Sequence, residues 1–319
     1  MPTRKLPLLV ALCLVTLGLT SCGGGGGTTP PPPKLLPYVF ITYLTSNDGT
    51  GYIDSFLASS TGEATPSSQV TAATGYTFRD IRGDGTGNIY VMTAPDTNTA
   101  DVTVQEYSAD SGVLTLKRSF TSLLASTSEA LAADRSGTVY VSEGNGSVAV
   151  FASSASGNAT PTVPISFPDV IDAMTTDASG NVYVLEAGKG LLYEYPSAFA
   201  GNATQTLNPG TYINDFLTDV AVDSTGAIYV SGTNQSIGEI IIYDIGSPVP
   251  TRTISGSNTT LHFPPSALAI DADNNLHVNN DSYSYLTFAS GANGNVAPTS
   301  TFTVAGVNYD NLYAGLAVY

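Results

Sequence analysis

The residues of this sequence whose types and spacing could do chemistry are acids at the ends of short apolar runs. Four acids precede such runs, and two follow alternating segments of the kind "TVYVS": Asp80, Glu129, Asp172 and Asp219, then Glu143 and Glu186. Carboxylate oxygens are the ligands that Ca²⁺ and Mg²⁺ prefer. If the fold brings these side chains together on one surface, all six form a ligand-binding surface and the first four form a divalent metal site. The alternative is that they are solvated loop acids of a very acidic protein.

Other reactive groups are few. His262 and His277 are the only histidines, and no serine lies in a recognisable nucleophile motif. His277 stands where other copies of a repeated strand have tyrosine, which predicts a packed strand residue rather than a base. We therefore assign no catalytic residue from the sequence.

Residues 1–21 have the pattern of a secretion signal. Arg4 and Lys5 precede an apolar run that ends at Leu19 and is too short to span a membrane. The run leads into "LTSC", which ends at Cys22. This order of positive charge, apolar run, small residues and cysteine resembles the bacterial lipoprotein signal. The resemblance implies cleavage before Cys22 and attachment of lipid to that cysteine.

Residues 22–37 are predicted to be a tether. They contain "GGGGGTTPPPPK", in which the glycines favour a flexible coil and the prolines an extended spacer. In lipoproteins of bacteria with two membranes, an aspartate directly after the lipidated cysteine retains the protein at the inner membrane. This sequence has Gly23 instead. The resemblance therefore implies an outer-membrane protein whose domain faces the periplasm or the cell exterior.

The net charge of the mature chain disfavours nucleic acids as partners. Without Arg4 and Lys5, eight basic residues remain against 26 acidic ones, a net charge near −18. A surface this acidic repels phosphate backbones, which disfavours nucleic-acid binding and favours cations or basic partners. Cys13 leaves with the signal and Cys22 is used for lipid, so no cysteine remains for a disulfide, a metal or a nucleophile.

The rest of the chain is built from a repeated turn and strand, as in "DRSGTVYV" at residues 134–141. Near copies place aspartates 43 to 50 residues apart, at Asp84, Asp134, Asp177, Asp223 and Asp271. Each copy lies in a unit of about four short strands, which is typical of a propeller blade. Asp is expected to hydrogen-bond the turn, the following Gly to supply positive φ, and the Tyr-Val pair to pack between blades.

The length of the repeated region predicts an all-β fold, a six-bladed β-propeller, over residues 38–319. The first repeat lacks an innermost strand, and the chain stops after "GLAVY", which matches the innermost strand of other repeats. We expect this C-terminal strand to complete the N-terminal blade. Closure of this kind leaves no unpaired sheet edge at the junction.

Two segments, "LAADRSGTVYV" and "VAVDSTGAIYV", resemble propellers of the NHL-repeat type, which are related in shape to gluconolactonase-like and TolB-like propellers. The resemblance implies the fold and not an activity. It leaves two hypotheses: a non-catalytic binding module for an unknown protein or glycan, or a hydrolase of the lactonase kind. Gluconolactonase-like propellers bind a divalent metal at the channel mouth with Glu, Asn and Asp, so the second hypothesis would use Ca²⁺ or Mg²⁺ at the acids named above.

The lipoprotein signal gives the first testable prediction. The variant Cys22→Ser lacks the thiol that would carry lipid, so it should move from the membrane fraction to the soluble fraction. Fractionation with metabolic labelling by radioactive palmitate measures both effects. Membrane recovery equal to that of the wild type would contradict the prediction.

Overall fold

A computed structural model describes residues 37–45, 50–95, 101–123, 130–162, 165–262, 264–280, 284–305, 309–310 and 315–319. These residues form strands joined by turns, with five short 3-10 helices at Asp110–Gly112, Ala187–Lys189, Ser197–Phe199, Pro209–Thr211 and Ser257–Thr259. No helix in the described ranges has the length and apolar character needed to cross a membrane. The fold class is therefore all-β, as predicted.

The strands in chain order are β1 (Tyr38–Thr45), β2 (Gly51–Leu57), β3 (Gly62–Ala64), β4 (Ser68–Thr71), β5 (Tyr76–Gly83), β6 (Asn88–Pro95), β7 (Asp101–Ser108), β8 (Thr115–Leu123), β9 (Leu131–Ala133), β10 (Val139–Glu143), β11 (Ser147–Phe151), β12 (Gly157–Asn158), β13 (Ile165–Ser166), β14 (Ala173–Thr176), β15 (Val182–Glu186), β16 (Leu191–Tyr195), β17 (Gln205–Leu207), β18 (Phe216–Val222), β19 (Ile228–Asn234), β20 (Ile237–Tyr243), β21 (Arg252–Ser255), β22 (Ala267–Ile270), β23 (Leu276–Asn279), β24 (Tyr285–Phe288), β25 (Ser300–Val304), β26 (Tyr309–Asp310) and β27 (Leu316–Val318).

These strands form six antiparallel sheets arranged as the blades of a propeller. From the innermost strand outward, blade 1 is β27-β1-β2-β4, blade 2 is β5 to β8, and blade 3 is β9-β10-β11-β13. Blade 4 is β14 to β17, blade 5 is β18 to β21, and blade 6 is β22 to β25. The buried apolar side chains form six layers, one between each pair of neighbouring blades.

The C-terminal strand closes the ring, as the sequence predicted. β27 pairs antiparallel with β1, so that Ile41 lies opposite Leu316 and Val39 opposite Val318. At the end of this ladder the backbones of Tyr38 and Tyr319 exchange two hydrogen bonds of 2.6 and 2.9 Å. Blade 1 therefore contains strands from both ends of the described chain.

The repeated aspartates hold the turns between the first and second strands of five blades, which we call the Asp turns. In blade 3, Oδ1 of Asp134 accepts hydrogen bonds from the N–H groups of Ser136 and Thr138, and Oδ2 accepts one from the hydroxyl of Tyr140. Gly137 in this turn has φ +83°. Tyr140 also accepts the N–H of Ala198 in blade 4, so one aspartate links a turn to the neighbouring blade.

In blade 6, His277 occupies the position that Tyr140 has in blade 3. Its Nε2 lies 3.2 Å from Oδ2 of Asp271, and its Nδ1 lies 3.2 Å from the hydroxyl of Thr287. The side chain is buried. His277 is thus a packed strand residue, as predicted from its place in the repeat.

A feature that the sequence analysis did not predict joins the outer rims of neighbouring blades. Short segments between the third and fourth strands cross to the preceding blade, where β3 pairs parallel with β25 and β12 with β8. In both cases a glycine begins the pairing: Gly62 lies opposite Phe302, and Gly157 opposite Phe120. Gly294 bridges to Ile254 of β21 in the same direction. These segments cover outer strands that would otherwise be unpaired edges.

Ring closure by β27 gives the second prediction. Deletion of residues 315–319 removes the innermost strand of blade 1, and the lost burial of Leu316 alone is worth roughly 1.5 to 3 kcal/mol, before any loss of ladder hydrogen bonds. Thermal unfolding followed by circular dichroism should show a large decrease in Tm or aggregation. A Tm equal to that of the full chain would contradict closure through this strand.

Candidate functional site

Two of the predicted acids meet at the centre of the ring, and the group between them is an arginine. Arg82 on β5 donates from Nη2 and Nη1 to Oδ1 and Oδ2 of Asp219 on β18, at 2.8 and 3.1 Å. Its Nε also donates to Oδ2 of Asp80, at 3.3 Å. Blades 2 and 5 lie opposite each other in a six-membered ring, so the guanidinium spans the central channel.

Each of the two acids also connects its blade to the next one. Asp80 accepts the N–H of Ile81 in its own strand and that of Leu131 in blade 3, both at 2.8 Å. Asp219 accepts the N–H of Val220 at 2.8 Å and that of Leu268 in blade 6 at 2.7 Å. Both acids therefore accept hydrogen bonds from backbone amides as well as from Arg82.

A β-bulge places these carboxylates. The register of β5 shifts between Phe78 and Asp80, and that of β18 shifts between Leu217 and Asp219. A bulge adds a residue to one strand and redirects the side chains that follow. The same irregularity in two opposite blades thus directs one acid from each side toward Arg82.

Burial dominates the electrostatics of this group. Asp80 and Asp219 are 5% and 1% exposed, and the side chain of Arg82 is 11% exposed. Burial is the main cause that raises the pKa of Asp80 from 3.8 to about 6; Arg82 opposes this change, and Asp219 adds to it. Burial alone would lower the pKa of Arg82, but Asp219 and Asp80 raise it above its ordinary value. Two carboxylates and one guanidinium leave a net negative charge when all three are ionised.

Arg82 stands at a position where the other five blades have small residues. Strand registers align it with Ala132, Thr175, Ala221, Ala269 and Ala317. One long cationic side chain thus stands at a register position that is small in every other blade. A single arginine at this position of the repeat was the signal in the sequence that could have revealed the ion pair.

The described ones among the other predicted site residues, Asp172, Glu186 and Glu143, have contacts elsewhere. Asp172 accepts the N–H of Ala187 within blade 4 at 2.7 Å. Glu186 is fully buried and accepts the N–H of Asp169 at 2.8 Å, while Glu143 is half-buried at the end of β10. Glu129 and Cys22 lie outside the described residues.

The strand registers place Asp80 and Asp219 at one equivalent position of their blades, and Asp172 one residue earlier. Asp80 and Asp219 align with Ala130 and Ala173, which directly follow Glu129 and Asp172. A shift of one residue turns a strand side chain to the other face of the sheet. Within the described residues the Asp80–Arg82–Asp219 group contains two carboxylates, and no cluster of three or more acidic, histidine or cysteine side chains that could hold a metal ion is found there.

The loops that enter the innermost strands, together with the turns between second and third strands, form one face of the propeller, which we call the entry face. Its exposed side chains include large apolar ones: Tyr76, Val170, Tyr212, Phe216 and Ile237. Phe216 is 61% and Ile237 is 51% exposed. Apolar exposure of this extent is a common property of binding surfaces.

Comparisons with known proteins support the fold alone. No protein-family model and no curated protein matches this sequence. A crystal structure of a protein of unknown function from Bacteroides caccae is similar, with a TM-score of 0.58 and 8% identity over 89% of this chain and 98% of that chain. The structure of U3-55K is similar with a TM-score of 0.50 and 8% identity, over 70% of this chain and 64% of that one. The resemblance to NHL repeats stays a prediction.

The central ion pair gives the third prediction. Arg82→Met leaves two buried carboxylates without a counter-ion, which should lower the free energy of unfolding by about 3 to 5 kcal/mol at neutral pH. Urea denaturation measures the loss. The matched control is Arg135→Ala, because Arg135 is an exposed arginine on the turn of the next blade. A loss for Arg82→Met no larger than that of the control would contradict a stabilising role.

The raised pKa of Asp80 gives the fourth prediction. The folded protein holds an extra proton between pH 3.8 and about 6, so the stability from this group is complete below that window and is lost as pH rises through about 6. Relative to Asp80→Asn, which does not titrate, the wild type should therefore lose on the order of 2 to 3 kcal/mol between pH 4 and pH 7. Urea denaturation across this range tests the sign. A relative gain of stability with rising pH would contradict it.

Proposed function

We propose that this protein is a non-catalytic binding module, anchored by lipid at Cys22 to the outer membrane, with its entry face as the ligand-binding surface. The observation that carries the proposal is the state of the central acids. Asp80 and Asp219 are buried, paired with Arg82 and hydrogen-bonded to backbone amides. Groups held in this way stabilise the scaffold, which leaves the exposed loops of the entry face to make contact with a ligand.

The alternative is a divalent-metal-dependent hydrolase of the lactonase kind. Such an enzyme needs several oxygen ligands within about 2.3 to 2.6 Å of one cation. Asp80 and Asp219 would have to release Arg82 to bind it, and Asp172 already accepts the N–H of Ala187. The contacts of these three residues thus favour the binding module over the hydrolase.

Calorimetry with calcium separates the two functions and is the fifth prediction. The binding module predicts the same Tm with and without calcium, because Asp80 and Asp219 already hold Arg82 and backbone amides as their partners. The hydrolase predicts a higher Tm in calcium, because an ion that binds only the folded state stabilises it. The matched variant is Glu129→Gln with Asp172→Asn, which removes two of the predicted ligands.

A calcium-dependent shift in the wild type that this double variant abolishes would overturn the binding module, as would turnover of a lactone such as glucono-δ-lactone. Equal Tm values together with the absence of turnover would support it.

A further inference from the structure

One part of the entry face is a continuous surface built from blades 4 and 5, which we call the blade 4–5 arc: residues 169–170, 187–190, 209–216 and 234–237. Its segments contact one another in series. Lys189 lies 3.6 Å from Asp169, and the N–H of Gly210 donates to the carbonyl of Gly190 at 3.1 Å. A hydrogen bond from Asn234 to the carbonyl of Tyr212 then connects the last two segments.

The arc carries most of the exposed large apolar side chains of the described entry face. Phe216 and Ile237 are exposed over more than half of their surface, and Val170 and Tyr212 over 39% and 37%. Tyr76, in blade 2, lies outside the arc. Two of six blades thus supply four of these five side chains on loops that contact one another, and such clustering of apolar exposure is typical of a docking site.

Two strained residues hold Ile237 at the tip of its hairpin. Gln235 and Ser236 have φ of +52° and +64°, a region that favours glycine. The N–H of Ser236 donates to Oδ2 of Asp215 at 3.1 Å, which ties the hairpin to the loop before β18. The exposed isoleucine is therefore fixed in position by a backbone that the sequence does not favour locally.

The charge of the arc is negative. Asp169 and Asp215 lie on its surface, Asp172 and Glu186 lie at its base, and Lys189 is its one basic residue. Two acids against one base give the surface of the arc a net charge of −1, which favours a cationic partner over an anionic one.

We propose that the blade 4–5 arc binds a segment of a partner protein in which lysine or arginine alternates with large apolar residues. The proposal rests on the proposed function and names its ligand class. Apolar partner side chains contact Phe216 and Ile237, and cationic ones lie over the acids. A neutral glycan would gain nothing from this charge, and Phe216 and Ile237 offer it no hydrogen-bonding group.

The experiment uses a fluorescein-labelled synthetic peptide of alternating lysine and leucine, with fluorescence anisotropy at low and at physiological ionic strength. The wild type should bind it, and the same peptide with glutamate for lysine should not bind. Phe216→Ser with Ile237→Ser should weaken binding about tenfold or more, because truncated apolar anchors dominate such losses. The matched control is Ile245→Ser, which removes a 78% exposed isoleucine side chain from the connection after β20, outside the entry face, and should leave the affinity unchanged.

A second variant tests the charge of the arc through a gain of affinity for the peptide. Lys189→Ala removes the one cation of the arc, and its side chain is half exposed. Affinity for the cationic peptide should rise about two- to threefold at low ionic strength, and the gain should shrink as salt screens it. A variant that fails to fold cannot produce this result.

The outcomes separate this proposal from the proposed function. If the wild type and the Phe216→Ser, Ile237→Ser double variant bind the cationic peptide with equal affinity, the blade 4–5 arc is not its binding site, while the binding module stays intact. Failure of the wild type to bind the cationic peptide, with binding of a labelled neutral oligosaccharide instead, would overturn the partner class. Lactone turnover by the wild type would overturn the binding module itself, whatever the peptide results.

Discussion

The fold depends on the pairing of a guanidinium with two carboxylates that the ring forces together. In a six-bladed ring the innermost strands face one another across a narrow space, and acids from opposite blades cannot both be ionised there without a cation. Arg82 supplies that cation from within the chain, and its link to Asp219 crosses between opposite blades. Because each acid also accepts a hydrogen bond from a backbone amide of the next blade, this one group connects four of the six blades.

Around this centre, every blade boundary is closed by contacts of the same kind. Apolar layers lie between neighbouring blades, and the tyrosines of the Asp turns reach from one blade toward the next. At the rim, the segments that begin at Gly62 and Gly157 add a parallel strand to the blade before. The blades are thus linked at the centre of the ring, along the apolar layers and at the rim.

The periodic features of the molecule could be predicted from the sequence. The Asp turns, the six blades and the closing strand recur or match between repeats, because each blade must satisfy the same backbone and packing requirements. The bulges at Arg79 and Thr218 could not be predicted, since an inserted residue leaves no periodic signal. The one-residue offset between Asp80 and Glu129 was readable from the sequence, because Asp80 is four residues before its turn aspartate and Glu129 is five before Asp134. The partner of the acids was missed because alignment of repeats emphasises what is shared, and Arg82 occurs once.

The place of β1 between β27 and β2 has a mechanical consequence. The chain enters the propeller at Pro37 and runs directly into β1, which forms antiparallel ladders with a strand on each side. A pull applied through the N-terminal end acts along the axis of β1, so the hydrogen bonds of both ladders are loaded together in shear rather than opened one after another. Mechanical resistance at this end of the propeller is therefore set jointly by β2 and β27, two strands that lie far apart in the sequence.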